Sequence, residues 1–444
     1  MHSQRHTESK LKLSRYTKVF PCADRQDHCI LFAARTGASV LVPSALLQEI
    51  EEGGLDPADE ETLAGLGFLV PDHEVERQAI LGMTEEMNLR QEVFSALVVL
   101  NLDCNLGCAY CFEGTLKGKH FMAEETADRL VAAIASGPIA RGKSVSLNFY
   151  GGEPLLSVPL IRRIAGRVRA LTAERGFSFG FSLMSNGTLL TRQRVEELLP
   201  FGLKGATVTL DGPRETHDAA RPFTDGRGSF DVIMRNVREV AGLLALQIGG
   251  NFTRENYREF PRLFDLLIAE GVTPDRLGPM QFSPVVTTPS SRALPEFTGG
   301  CISASEPWVA EAILFLREEL LLRGFDPPKM EPHICAVETA ENLVVNYDGT
   351  FYKCPALIGI EGAEAGDVGT GMRDCRMTHG LGLWQNDECL DCPYLPLCFG
   401  GCRYLGFLDG GRIDALNCNR DFFDAFLEPC LKQDIAYRVR STEG

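Results

Sequence analysis

Six apolar runs alternate with amphipathic segments between residues 94 and 322, and that alternation predicts an α/β fold built on a partial (β/α)6, TIM-like barrel. Two further observations complete the prediction. A short α+β stretch precedes the barrel, and a Gly-, Pro- and Cys-rich stretch follows it. The expected organisation is a small N-terminal unit and linker over 1–92, the barrel over 93–326, and a cysteine-rich domain over 327–444.

The elements follow in order. Short apolar runs at 16–21, 29–33 and 39–43 read as strands, with helices expected at 45–52 and 57–66. The unit closes on GlyPheLeuValPro at 67–71, and the acidic stretch 72–92 reads as a linker helix. Barrel strands are expected at 94–102, 145–150, 177–184, 206–210, 246–252 and 276–282. Helices are expected between them at 123–136, 159–175, 192–199, 230–244 and 258–270, with another at 306–322. Such βα units imply parallel strands buried on both faces, with functional loops after the strand C-termini. The pattern alone does not separate a partial barrel from a full one or from an open doubly wound sheet. Beyond 327, long periodic segments are scarce, and that region is expected to need metal in order to fold.

The chain has 44 Lys and Arg against 60 Asp and Glu, a net charge of −16, which argues against nucleic acid as a partner. The basic N-terminus lacks the apolar core of a secretory signal, and no run is long enough to span a membrane, so a cytoplasmic location is expected. Fifteen cysteines in a reducing compartment are better metal ligands than disulfides, and an odd number cannot pair completely.

Their spacing is informative. Cys104, Cys108 and Cys111 form C-x3-C-x2-C directly after the first barrel strand. Three thiolates on a 4Fe–4S cubane leave one iron open, whereas zinc favours four ligands in C-x2-C pairs. TyrGlyGlyGluPro at 150–154, MetSerAsnGlyThr at 184–188 and ThrLeuAspGlyPro at 209–213 follow the next three strands, with His217, Asp218 and Arg221 downstream. Together these motifs resemble the radical S-adenosylmethionine superfamily. The resemblance implies a cluster on Cys104, Cys108 and Cys111 as the catalytic centre. It also implies S-adenosylmethionine contacts from Tyr110, Gly151, Gly152, Glu153, Ser185, Asn186, Thr209 and Arg221. Glu153 would accept from the cofactor's ammonium, the glycines would let backbone approach it, and Arg221 would pair with its carboxylate.

Farther on, Cys335 is followed by Gly349 and Cys354, then by Cys389, Cys392, Cys398, Cys402 and Cys418. This series resembles the seven-cysteine SPASM pattern. By that resemblance Cys389, Cys392, Cys398 and Cys418 hold one auxiliary 4Fe–4S cluster, and Cys335, Cys354 and Cys402 hold a second. Its fourth ligand is Cys301, Cys375 or an open position; two zinc sites are the competing reading. Cys22, Cys29 and Cys430 match no pattern.

SPASM-bearing members act on peptides and protein side chains, and this chain most resembles the geopeptide maturases among them. The N-terminal unit then resembles a leader-peptide-recognition module. The implied function is modification of a small ribosomally made precursor peptide, with a thioether crosslink formed after hydrogen abstraction. A flavodoxin- or ferredoxin-type electron donor is implied as a partner. Sulfatase-maturing oxidation of a protein Cys or Ser is the alternative, although those members carry an aspartate after the cysteine matching Cys354, where this chain has Pro355. A multi-cluster electron-transfer protein is the alternative from another class.

Overall fold

The computed structural model describes residues 11–22, 25–111, 113–114, 116–286, 301 and 303–439. The N-terminal unit is built from β1 (Lys12–Leu13), β2 (Thr17–Pro21), β3 (His28–Ala33), β4 (Ala38–Pro43), α1 (Ala45–Glu52), α2 (Pro57–Gly65) and β5 (Leu69–Val70). Strands β2, β3 and β4 form an antiparallel meander with β3 central, while β1 pairs with β5. The linker is one helix, α3 (His73–Arg90), whose first turn is capped by the Asp72 carboxylate accepting from Glu74 N.

The barrel strands are β6 (Val93–Asn101), β7 (Ser144–Gly151), β8 (Phe179–Ser185), β9 (Leu203–Thr209), β10 (Ala245–Phe252) and β11 (Gln281–Pro284). They pair in parallel and in sequence order, with Ala96 opposite Leu147 and Val98 opposite Phe149. Helices α4 (Glu124–Ile134), α5 (Val158–Glu174), α6 (Arg192–Leu198), α7 (Arg214–Ala220), α8 (Phe230–Val240), α9 (Phe260–Ala269) and α10 (Pro307–Leu322) cover the sheet. In α5, Ile161, Ile164, Ala165 and Val168 recur at helical spacing and are wholly buried against it. Among the described residues β6 and β11 do not pair, so the barrel is partial, as expected.

Three expectations need correction. The sixth strand begins at Gln281, because Pro274–Arg276 forms a 3-10 turn and Gly278 and Pro279 break the run before it. The helix expected to reach residue 244 stops at Val240, where Gly242 takes a positive φ in the turn into β10. The third concerns the C-terminal region, read as poor in long periodic segments, which carries an apolar core shared with the N-terminal unit. Trp384, Tyr394, Leu395, Phe399, Phe423 and Leu427 are buried together, and Tyr16, Ile30 and Phe32 of the N-terminal unit complete the cluster. Much of the missing periodicity is the helix Arg420–Asp434, whose pattern is interrupted by Pro429.

The C-terminal region also extends the barrel sheet. Strand β12 (Asn342–Val345) lies parallel to β6 on the side away from β7, and β13 (Thr350–Tyr352), β14 (Gly366–Asp367) and β15 (Gly371–Met372) continue antiparallel to give ten strands. Gly349 sits at φ 90° in the turn joining β12 to β13, a conformation that favours glycine. That turn delivers Cys354 just past β13.

Candidate active site

One cavity of about 400 Å³ opens at the C-terminal ends of the barrel strands. Cys104, Cys108 and Cys111 line it from the loop after β6, Gly151 and Gly152 from the end of β7 and the turn after it, and Ser185 and Asn186 from the end of β8. Thr209 closes β9, and Arg221 follows α7. The sequence thus named residues from four successive strand ends that converge on one space. Burial pushes the Cys104 thiol up to about 11 and the Cys111 thiol upward as well, so each is costly to ionise without a cation to bind.

The two glycines are required by a close approach within the protein itself. A Cβ on Gly151 would stand 2.1 Å from Asn101 O, and one on Gly152 would stand 2.1 Å from Asp103 O and 3.1 Å from the Cys104 Cβ. The turn after β7 is therefore pressed against the cysteine loop, and Gly152 N and Glu153 N donate to Asn101 O and Asp103 O at 3.0 and 2.9 Å.

Glu153, expected beside the cofactor's ammonium, is engaged within the protein. Its side chain is wholly buried and lies outside the cavity lining. Its carboxylate accepts from Leu155 N at 3.0 Å, Ser185 Oγ at 3.0 Å and Asn186 N at 2.8 Å. Burial outweighs these bonds and pushes the Glu153 carboxyl up to about 7. Glu153 is a clamp between two loops, and the Ser185 hydroxyl is spent on it. The backbone of Asn186 is held by the same carboxylate, while its side-chain Nδ2 donates to Asn105 Oδ1 at 2.8 Å and lies 3.6 Å from Cys104 Sγ.

A second network fixes the far wall. The Tyr110 hydroxyl donates to Asp211 and accepts from Arg221 NH1 at 2.7 Å and from Asn251 Nδ2 at 3.1 Å. His217, wholly buried, accepts from Asp211 N through Nδ1 at 3.1 Å. Its proton therefore sits on Nε2, which faces Ser229 Oγ at 3.0 Å, and Ser229 in turn donates to Arg221 O at 2.7 Å. Burial, seconded by Arg221, pushes His217 down to about 3 and keeps it neutral. The D-G-P, H-D and R residues thus form one scaffold for Arg221, whose Nε is buried without a hydrogen-bond partner.

These observations fit a cluster with S-adenosylmethionine. The donor set is three thiols with no fourth cysteine on the cavity, and an orphaned guanidinium nitrogen suits a carboxylate. Among the described residues, no three His, Cys, Asp or Glu side chains converge on a point that one metal ion would fill.

Several residues on or behind the cavity were not anticipated. Asn236, buried on the apolar face of α8, donates to Gly187 O and Thr188 O at 2.9 Å and shapes the loop that carries Asn186. A buried Asn in an otherwise apolar helical stripe was the available signal. Glu113, Tyr150, Ala356 and Tyr404 also line the cavity. Burial raises the Glu113 carboxyl to about 7, and its Oε1 has no partner among the described residues. Ala356 and Tyr404 come from the C-terminal region, each two residues past a SPASM-pattern cysteine, Cys354 and Cys402.

The remaining cysteines form two groups. Cys389, Cys392, Cys398 and Cys418 line one cavity of about 220 Å³ with Tyr394, Arg420 and Phe423. Cys335, Cys354 and Cys402 lie near one another, and burial lifts the Cys354 thiol to about 12, with Cys402 and Cys335 adding to the rise. Cys301 bridges to Val286 within the barrel core, and Cys375 donates to Arg373 O at 3.5 Å. The buried Lys353 ammonium, bonded to Thr339 O at 2.5 Å, feels both Cys375 and Cys335.

Residues 98–267 match the Radical SAM superfamily. That stretch is similar to a radical SAM domain. Its sequence is 31% identical over 182 residues to the Fe-coproporphyrin III synthase of Methanosarcina barkeri, covering 40% of this chain and 42% of the synthase. The match thus spans less than half of that relative. In fold, the protein resembles anSMEcpe with bound AdoMet and Kp18Cys peptide, at TM-score 0.62 and 18% identity over 79% of this chain and 99% of the other. It also resembles Streptococcus suis SuiB bound to precursor peptide SuiA, at TM-score 0.54 and 14% identity over 92% and 99%. At these identities the two structures establish the radical SAM fold with a C-terminal extension. No described helix is long and apolar enough to cross a membrane.

Proposed function

We propose that the protein is a radical S-adenosylmethionine enzyme that modifies a ribosomally made precursor peptide, joining a core residue to a cysteine through a thioether. One observation carries the reading: a single cavity is walled by the C-x3-C-x2-C cysteines on one side and, through Ala356 and Tyr404, by the Cys335/Cys354/Cys402 region on the other. When bound, the cluster and S-adenosylmethionine supply a 5′-deoxyadenosyl radical that abstracts hydrogen from the substrate. The protein's own residues bind and orient. Arg221, held by Tyr110 and backed by His217 and Ser229, presents Nε to the cofactor's carboxylate. Asn186 and Thr209 offer polar contacts to its sugar, and Met184, Val285 and Val286 give the mouth apolar walls.

A peptide substrate is supported by the peptides bound in the two structural neighbours and by β4, whose outer edge is unpaired among the described residues. A groove of about 370 Å³ runs beside it, lined by Ser39, Val40, Leu41, Met330 and Ile435. A leader segment added as a strand against β4 would lie in that groove. Ser39→Trp fills it and is expected to weaken affinity for the precursor about tenfold while uncoupled cofactor cleavage persists; unchanged affinity removes the leader assignment.

The deciding experiment is anaerobic reconstitution with iron and sulfide, followed by dithionite, S-adenosylmethionine and assay of 5′-deoxyadenosine. Cys104→Ala is expected to abolish production and to remove about four irons per chain. Production that survives the substitution overturns the assignment. A brown, fully loaded protein that cleaves nothing, with or without peptide, is an electron carrier instead.

A further inference from the structure

Outside the active site, a groove of about 570 Å³ lies between α5 and α6, floored by Leu155, Leu156, Val158 and Phe201. Its charged rim is Arg162, Arg163 and Arg194 against the single Glu197. Beyond the rim, α5 carries four arginines and one glutamate; Arg163 and Arg167 pair with Asp128 of α4, and Arg169 donates to the Pro200 carbonyl. In a chain of net charge −16 such a patch is an exception. Its arginines remain a third to a half exposed although all three are ion-paired, Arg162 and Arg194 with Glu197 and Arg163 with Glu124 and Asp128.

The groove also lies close to the cysteine loop. Leu155 and Leu156 belong to the turn that follows Glu153, and the Glu153 carboxylate accepts from Leu155 N and Asn186 N. Asn186 Nδ2 in turn lies 3.6 Å from Cys104 Sγ. A partner seated in the groove is thus separated from Cys104 by one packed turn and a short chain of hydrogen bonds.

We infer that the α5–α6 groove is the docking surface for a small acidic one-electron carrier protein. The inference rests on the proposed radical chemistry, which consumes one electron at each cleavage. The reduced carrier loses one electron and the cluster on Cys104, Cys108 and Cys111 gains it, with no bond made or broken at the interface. An apolar floor rimmed by arginines suits a partner with an exposed redox centre ringed by carboxylates. Electrostatic attraction of this kind governs the rate of encounter and falls with salt.

The test uses the full, cluster-loaded chain with oxidised flavodoxin and oxidised ferredoxin as separate binding probes. Affinity is measured by calorimetry at low and physiological salt, and the rate of cluster reduction by each reduced carrier is followed by stopped flow. R162E/R163E/R194E is expected to weaken binding and slow reduction at least tenfold for the carrier that docks. R162Q/R163Q/R194Q is expected to fall between that variant and the native chain. R235E/R373E/R376E has the same change in net charge on other faces and is expected to behave like the native chain. Dithionite-driven cleavage in the groove variants reports separately on folding and on the proposed chemistry. Affinity and reduction rates unaltered in the groove variants, or lost equally in the distant triple, overturn the docking surface whether or not cleavage occurs.

Discussion

The barrel and the C-terminal cysteine-rich region both contribute walls to the same cavity, yet they are stabilised differently. The barrel buries its own core, and its cysteine loop is clamped by neighbours such as Gly152, Glu153 and Asn186. The C-terminal region completes its core with Tyr16, Ile30 and Phe32 from the opposite end of the chain and lays β12 against the barrel's first strand. The first site is therefore built by local loops on a scaffold whose core is mostly the barrel's own, with Leu343, Val345 and Phe351 added from the C-terminal region. The auxiliary sites depend on an assembly of all three parts.

The largest test of that contrast falls on the shared core. Tyr16 is wholly buried, and its hydroxyl donates to Leu390 O at 2.9 Å. Tyr16→Ala is expected to cost about 3–5 kcal/mol, felt mainly in the C-terminal region. The two tryptophans read this directly, because Trp384 lies in the shared core and Trp308 in the barrel. In W308F and W384F backgrounds, the Trp384 signal is expected to unfold at lower denaturant while the Trp308 signal holds. Equal shifts of both probes break the contrast.

A smaller effect sharpens the barrel side. Arg221→Gln keeps a planar polar group but loses the charge, and is expected to weaken S-adenosylmethionine binding roughly tenfold, corresponding to about 1.4 kcal/mol. Equilibrium dialysis checks it, and the iron content of the first site is expected to stay unchanged. The smallest effect is a pH slope. The pKa of His217 is depressed in the folded state, so the unfolded chain binds the extra proton, and stability is complete above about 6.5 and lost as pH falls toward about 3. The unfolding constant is expected to rise by up to tenfold per pH unit across that window, and His217→Asn is expected to flatten the barrel probe's dependence. An unchanged slope assigns the titration elsewhere.

The same contrast decides what was legible in the sequence. Alternating strands and helices of ordinary length encode the barrel locally, so β6 to β10 and the loops after them were readable within a few residues. The cysteines and Arg221 declared themselves through spacing, and they meet at one cavity. The bonds by which Glu153 ties two loops together were not legible, because a carboxylate beside a functional turn looks the same in sequence with or without them. The shared core was invisible because Tyr16 and Trp384 are joined only by tertiary packing across most of the chain. That packing also complicates removal of residues 1–90 as a probe of peptide binding, since the cut strips one wall from the auxiliary region.

The parallel pairing of β12 with β6 has a consequence for how the protein is born. About 250 residues separate the paired strands, Val98 waiting for Val345. At ribosomal speeds the first barrel strand emerges roughly 10–50 s before its outer neighbour, with its cysteine loop already made and that edge bare. Through that interval a nascent chain offers both an unpaired strand edge and three accessible thiols. Metal delivery and chaperone protection are then demands on the same short window of synthesis.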